Sequence, residues 1–238
     1  MALNPSAYPS YAAECGDPSR TKKLGFGRRP AILLLDICEA YFAESSCLRL
    51  PEETLNSATK ALSVLLEAAR HRRLSTGSDD VERFPIIYAQ TLYTQRNLRD
   101  AGLIAAKAPS YVKHFHAHND HNLTGLPKGT QYDSICPDED DILLKKKYPS
   151  PFFGTNLSTQ LSSLGVDTLI IAGFTTSVNV RAATLDAMQS GFRPMIVAEA
   201  CADRGQETHW ANLMDLGAKY GDIVSVADAV ETIKSGWI

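Results

Sequence analysis

An α/β domain, with a mostly parallel sheet flanked by helices on both faces, is the fold class this sequence predicts, and three observations predict it. Short apolar runs rich in β-branched residues recur along the chain, as strands buried on both faces require. Amphipathic stretches at helical spacing alternate with them from residue 31 to the end. Residues 167–203 then read as strand, tight turn, helix and strand in succession.

Residues 1–24, rich in Pro, Ser, Tyr and Ala, read as an N-terminal arm packed on the body or a neighbouring subunit, or as a disordered tail. Residues 25–238 read as a single domain with no internal repeat. Residues 31–35 (AILLL) are a buried first strand that ends at Asp36. Residues 51–73 place Leu55, Ala58, Leu62, Leu65 and Ala69 on one helical face. A polar connection over 74–83 leads to a second strand at 84–89. Residues 91–140 lack strong periodicity, which suits a lid or an intersubunit element. A third strand spans 141–147, and Thr155 caps a helix carrying Leu157, Leu161 and Leu164. Strand 168–172 ends at Gly173, and Thr175, Thr176 and Ser177 are N-cap candidates for a helix with Val180, Ala183, Leu185, Ala187 and Met188 on its apolar face. Gly191 stops that helix before a strand at 195–198. An amphipathic helix over 209–221, a strand at 222–226 and a helix at 227–235 close the chain.

The formal net charge of −3 and the absence of a basic stripe argue against a nucleic-acid partner. No apolar run reaches the ~18 residues of a membrane span, and no secretory h-region is visible. The five cysteines (15, 38, 47, 136 and 201) lack CxxC spacing, so neither a disulfide framework nor a zinc ribbon is expected, and the reading is cytoplasmic. His114, His116, His118 and His121 cluster in the long loop beside Asp120. Their alternating spacing, without a second ligand cluster, suits a solvated or substrate-facing loop better than a metal site, and no metal or cofactor is expected.

In a parallel α/β sheet, ligands bind beyond the carboxyl ends of the strands, often at a helix N-terminus. Asp36, the lysines 145–147 and the turn 173–179 all lie at such ends. Asp36 alone reads equally as a site carboxylate or as a turn cap. Arg181 and Arg204 read as structural or intersubunit pairs, with Arg204 also able to meet an anionic substrate.

Four stretches carry a resemblance: LGFGRRPAILLLDICEAYF, KKKYPSPFFGTNLSTQL, GVDTLIIAGFTTSVNVRAATLDAMQSGFRPMIVAEACADR and HWANLMDLGAKYGDIVSV. They resemble the isochorismatase-like, or cysteine hydrolase, superfamily, and within it the N-carbamoylsarcosine amidase and biuret hydrolase branch. The resemblance implies a Rossmann-like three-layer fold and a small-molecule substrate, and the chain is expected to form a homo-oligomer, dimer or tetramer. Asp36 matches the catalytic Asp, and Lys146 matches the Lys four residues before Ser150 of the Ser-x-Phe-Phe-Gly-Thr turn. The family turn, Gly-x-Ser/Thr-Thr-Ser-Gly-Cys-Val-Arg-Ala, reads here Gly173-Phe-Thr-Thr-Ser-Val-Asn-Val-Arg-Ala182. Asn179 therefore stands at the nucleophile position. The resemblance also implies a cis Phe174–Thr175 peptide and an oxyanion hole from the N–H groups of Thr175 and Asn179. Phe42, Phe174, Thr176, Ser177 and Cys38 are expected to line the pocket.

A thiol beside a Lys and a helix N-terminus is readily ionised and attacks carbonyl carbon. An amide has no proton to lose near neutral pH, so thioester chemistry at residue 179 is excluded. Three readings follow. Asp36 and Lys146 catalyse a non-covalent hydrolysis or rearrangement, by resemblance to isochorismatase proper, whose Asp protonates a vinyl ether. Alternatively, the chain is a Cys-dependent amidase or ureidohydrolase inactivated at 179, by nature or by engineering. The third reading is a pseudoenzyme that binds a ligand or supports assembly. Cys38 and Cys201 are candidate replacement nucleophiles, with buried inert thiols as the competing reading.

Overall fold

The computed structural model describes residues 22–75, 84–118, 125–126 and 130–235. Six parallel strands form one sheet: β1 (Pro30–Leu35), β2 (Ile86–Thr91), β3 (Ile142–Lys146), β4 (Thr168–Phe174), β5 (Arg193–Ala202) and β6 (Asp222–Val224). Their order is β3-β2-β1-β4-β5-β6. The chain grows outward from β1 to β3, then returns to lay β4 against the other side of β1. The carboxyl ends of β1 and β4 thus flank the point where the winding reverses, which is where such sheets bind ligands.

Seven α-helices are described: α1 (Glu52–Ser75), α2 (Ile104–Lys107), α3 (Pro109–His114), α4 (Leu157–Ser163), α5 (Arg181–Gln189), α6 (Gln206–Lys219) and α7 (Val226–Ser235). Alternate residues of β1 serve opposite faces. Ile32 and Leu34 pack with Leu55, Leu62 and Leu65 of α1 and Ile233 of α7. Leu33 and Leu35 pack with Leu157 and Leu161 of α4, Ala183 and Ala187 of α5, and Leu213 and Leu216 of α6. Both faces are covered, so β1 reads as an unbroken apolar run.

Several expected boundaries shift. The second strand starts at Ile86 and reaches Thr91, two residues later than expected, because Pro85 lacks an N–H and serves only as acceptor for Ile32. The fifth strand is ten residues long rather than four, with a register irregularity opposite Ile171–Gly173. In α5, Met188 is exposed and Thr184 is buried in its place, its hydroxyl donating back to the Val180 carbonyl at 2.8 Å. The N-cap of α4 is Asn156 rather than the expected Thr155, which stands one residue earlier and accepts the Leu157 N–H at 3.1 Å. The long loop-rich stretch holds α2, α3 and short 3₁₀ turns. Residues 1–21 of the expected arm and 76–83 of the polar connection lie outside the described residues.

Candidate active site

β1 positions the first site residue by its pairing. Leu35 stands opposite Ala89 of β2 and Gly173 of β4, and the next residue, Asp36, donates its N–H to the Ala89 carbonyl at 2.9 Å. The backbone turns there, with Asp36 at φ +48°. Gly173 is required beside it: a Cβ at that position would lie 2.3 Å from the Leu35 carbonyl oxygen. Lys146 ends β3 opposite Thr91 of β2. Alternation then sends its neighbours away. Lys145 donates to Gln90 Oε1 at 2.7 Å, and Lys147 pairs with Asp100 at 2.7 Å.

Asp36, Lys146 and Asn179 meet with almost no exposure to solvent. Asp36 Oδ1 accepts the Thr91 N–H at 2.6 Å. Asp36 Oδ2 accepts from Thr91 Oγ1 at 2.9 Å, Lys146 Nζ at 3.0 Å and Asn179 Nδ2 at 2.8 Å. Lys146 Nζ also donates to Thr91 Oγ1 at 2.7 Å and Asn179 Oδ1 at 3.2 Å. Asn179 Nδ2 donates in addition to the Phe174 carbonyl at 2.6 Å. The amide orientation follows from this network, with its nitrogen at two acceptors and its oxygen at the ammonium. Every polar neighbour of Asp36 donates, so the arrangement fits an ionised carboxylate held by a cation and neutral donors.

The Phe174–Thr175 peptide is cis. It leads into a wide π-helical turn over Thr176–Val180, which continues as α5. Here one expectation is corrected. No side chain of Thr175 caps this turn. Instead Asp203, buried beyond β5, accepts the Ser177 N–H at 2.7 Å. Thr176 turns away from the Asp36 network, with its hydroxyl 2.8 Å from His209 Nδ1 and 3.2 Å from the Ala202 carbonyl. Burial holds the His209 imidazole below its ordinary range, against the opposing pull of Asp203. The Ser177 hydroxyl meets Arg204 at 3.3 Å, again on the β5 side.

Phe42 and Phe174 meet edge-on at 5.8 Å, and Tyr132 joins Phe42 at 4.4 Å. Cys38 is buried; burial first, then the Asp36 charge, pushes its thiol well above the ordinary range. Burial pushes the Cys201 thiol up to about 12. Burial and the raised values fit the reading of both as small apolar residues better than that of replacement nucleophiles. Arg181 pairs within the chain with Asn212 and Asp215 of α6. His114 Nε2 lies 3.3 Å from Cys47 Sγ, and His116 Nε2 lies 2.9 Å from the Gln95 carbonyl. His121 and Asp120 lie outside the described residues, and among those described no cluster of three or more metal-ligating side chains forms.

Three neighbours of the network escape sequence reasoning. Thr91 bridges Asp36 and Lys146, and the signal for it is its position at the end of a buried strand, which sequence reasoning ended two residues early. Tyr41 lies five residues after Asp36, buried with its ring edge-on to Phe174 at 5.7 Å. Tyr111 comes from α3, its ring tilted against Phe115 at 4.8 Å. Burial, the largest cause, holds both phenols above their ordinary range.

Comparison with known proteins bears on this geometry. The family described as "Isochorismatase domain" matches residues 30–228. Maleamate amidohydrolase of Pseudomonas putida is 32% identical over 213 residues, covering 90% of this chain and 91% of that protein. N-carbamoylsarcosine amidase of an Arthrobacter species is 29% identical, covering 88% and 73%. Among solved structures, a cysteine hydrolase from Pseudomonas syringae superposes with a TM-score of 0.76 at 18% identity, covering 90% of this chain and 99% of that one. At these levels the relatives carry family and fold, not substrate.

Proposed function

The chain belongs to the isochorismatase family of hydrolases, and from that premise we propose that it acts on a small metabolite by non-covalent acid–base chemistry, with Asp36 and Lys146 as the working pair. The observation that carries this reading is the Asp36–Lys146–Asn179 network itself: a buried carboxylate and a buried cation joined through an amide where the resemblance requires a thiol.

The two oxygens of Asp36 differ in a way that suits a base. Oδ2 accepts three side-chain donors, whereas Oδ1 accepts the Thr91 N–H. Oδ1 thus keeps a lone pair for a water proton, and Lys146 holds the carboxylate in place throughout. The N–H groups of Thr175 and Asn179 polarise the substrate carbonyl, and water, not a side chain, forms the new bond. Replacing Asp36 by Asn should lower turnover by about two orders of magnitude or more. Steady-state assays on small amides, ureides and enol ethers, maleamate and N-carbamoylsarcosine among them, measure it. Undiminished activity in Asp36→Asn overturns the reading.

The amidohydrolase relatives favour a second reading, a thiol amidase disabled at residue 179. On that reading Asn179→Cys forms acyl adducts with an amide, visible as an intact-mass increase, and no adduct across an amide panel counts against it. The proposal also includes a cytoplasmic homo-oligomer, dimer or tetramer. The exposed Leu103, Tyr148 and Phe153 beyond the β3 edge support self-association. No described helix is long and apolar enough to cross a membrane.

A further inference from the structure

Asn179 stands where the resemblance requires a nucleophile, and an amide offers the opposite reactivity, because its carbonyl carbon accepts a nucleophile. An amine lies against it. Lys146 Nζ donates to Asn179 Oδ1 at 3.2 Å, and that oxygen is one bond of about 1.2 Å from the carbon Cγ. A single atom, Asp36 Oδ2, accepts from Lys146 Nζ at 3.0 Å and from Asn179 Nδ2 at 2.8 Å. An attacking amine must lose protons, and a departing amide nitrogen must gain one. Oδ2 touches both nitrogens and is placed to carry protons from the first to the second.

The surroundings favour this exchange. Asp36, Lys146 and Asn179 are all buried. Away from water, an ammonium–carboxylate pair loses much of its advantage over the neutral amine and carboxylic acid, so a proton passes more readily from Nζ to Oδ2. Thr91 Oγ1 accepts from Lys146 at 2.7 Å and holds the amine beside the amide. The Phe174 carbonyl accepts from Asn179 Nδ2 at 2.6 Å and fixes the amide plane. Phe174 is itself anchored, edge-on to Tyr41 at 5.7 Å and to Phe42 at 5.8 Å. The groups therefore stay in place long enough for a slow reaction between neighbours.

We propose that Lys146 and Asn179 join spontaneously in an isopeptide bond, with Asp36 as the proton carrier. Nζ gives one proton to Asp36 Oδ2, and its freed electron pair forms the bond to Asn179 Cγ. Asp36 hands that proton to Nδ2 and takes a second from Nζ. The Cγ–Nδ2 bond breaks, its electron pair leaves with the nitrogen, and the ammonia formed takes the second proton from Asp36 as it departs. One ammonium ion is released for the lysine ammonium consumed, and Asp36 ends as the carboxylate it began as. The product ties the end of β3 to the π-helical turn across 33 positions of the chain. It also removes the positive charge beside Asp36. The inference thus goes beyond the acid–base reading, which describes the chain before the bond forms.

Intact-mass measurement tests this without any substrate. The purified wild-type chain, incubated folded at neutral pH, should fall about 17 Da below its sequence mass, the ammonia lost when a lysine amine displaces an amide nitrogen. Proteolysis should then give one branched peptide that joins the segment holding Lys146 to the segment holding Asn179. The same chain held in urea should keep its full mass, because the three groups meet only in the fold. Lys146→Arg removes the nucleophile and Asp36→Asn removes the proton carrier, and both variants should keep their full mass. An unchanged wild-type mass overturns the inference. So does conversion of Asn179 to aspartate by water, and so does the same mass loss without the branched peptide, which marks closure of Asn179 on its own backbone. Turnover by Asp36→Asn bears on the acid–base reading alone, so the two fail separately.

Discussion

Lys146 is a fully buried cation whose place in the fold depends on a single buried anion. Taking both charges out of water is costly, and their pairing with Thr91 and Asn179 offsets much of that cost. Removing one partner leaves the other uncompensated. Lys146→Met should therefore destabilise the fold by about 3–5 kcal/mol, while the double variant Asp36→Asn/Lys146→Met should recover a large part of the loss. Urea denaturation of the wild-type protein and the two variants measures this, and equal stability of the single and double variants would sink the argument. These two residues and Asn179 were legible in the sequence because each ends a recognisable apolar run or sits in a recognisable turn. Thr91 was not, because nothing local distinguishes a strand-end threonine that bridges two charges from one that faces solvent. Tyr41 reads in sequence as one more aromatic beside Phe42. Its placement is tertiary, because its ring packs on Phe174, which lies 133 positions further along the chain.

At the scale of elements, the site depends on strands ending in register, and an ion pair holds two of those ends together. Lys147, just past β3, meets Asp100, which lies in the loop beyond β2 and also accepts the Thr94 N–H at 2.7 Å. Partial burial pushes the Asp100 carboxyl up, but Lys147 and the N–H groups of Thr94 and Gln95 outweigh it and hold the group at about 2. A carboxyl with a depressed folded value stabilises the fold above its ordinary value near 3.8, and loses that contribution as pH falls toward 2. The stability gap between the wild-type protein and Asp100→Asn should hold constant above about pH 5 and close between about pH 4 and pH 2. A gap independent of pH in urea titrations would contradict it. The elements themselves were largely readable, since apolar runs and helical spacing locate β1, β4, α1 and α6 directly. Caps were harder. The turn after β4 looked self-capped by its hydroxyls, yet the partner is Asp203 from the end of β5, because Thr176 is drawn toward His209 and Ala202.

Over the whole molecule, the return of the chain from β3 to β4 matters most. It sets β4 beside β1, so that Asp36 and the π-helical turn face each other while Lys146 reaches in from the β3 edge. The same topology leaves β3 as an edge strand, with Leu143 exposed on it and Tyr148 and Phe153 paired edge-on just beyond, at 4.9 Å. An edge and an apolar patch of this kind invite a second copy. Sedimentation velocity should give a dimer or tetramer for the wild-type chain and smaller species for Tyr148→Glu/Phe153→Glu, and a wild-type monomer at micromolar concentration would refute it. By itself, the sequence determined the fold class, the helix and strand periods, the family and three of the residues at the strand ends, because burial period and short motifs are local properties of a chain. Only the tertiary structure decided which donors meet each oxygen of Asp36, which partner each of the lysines 145–147 takes, and which thiols are buried. Those depend on distances between groups brought together from four strands and their loops, and distance in space is not written at any single position of the chain.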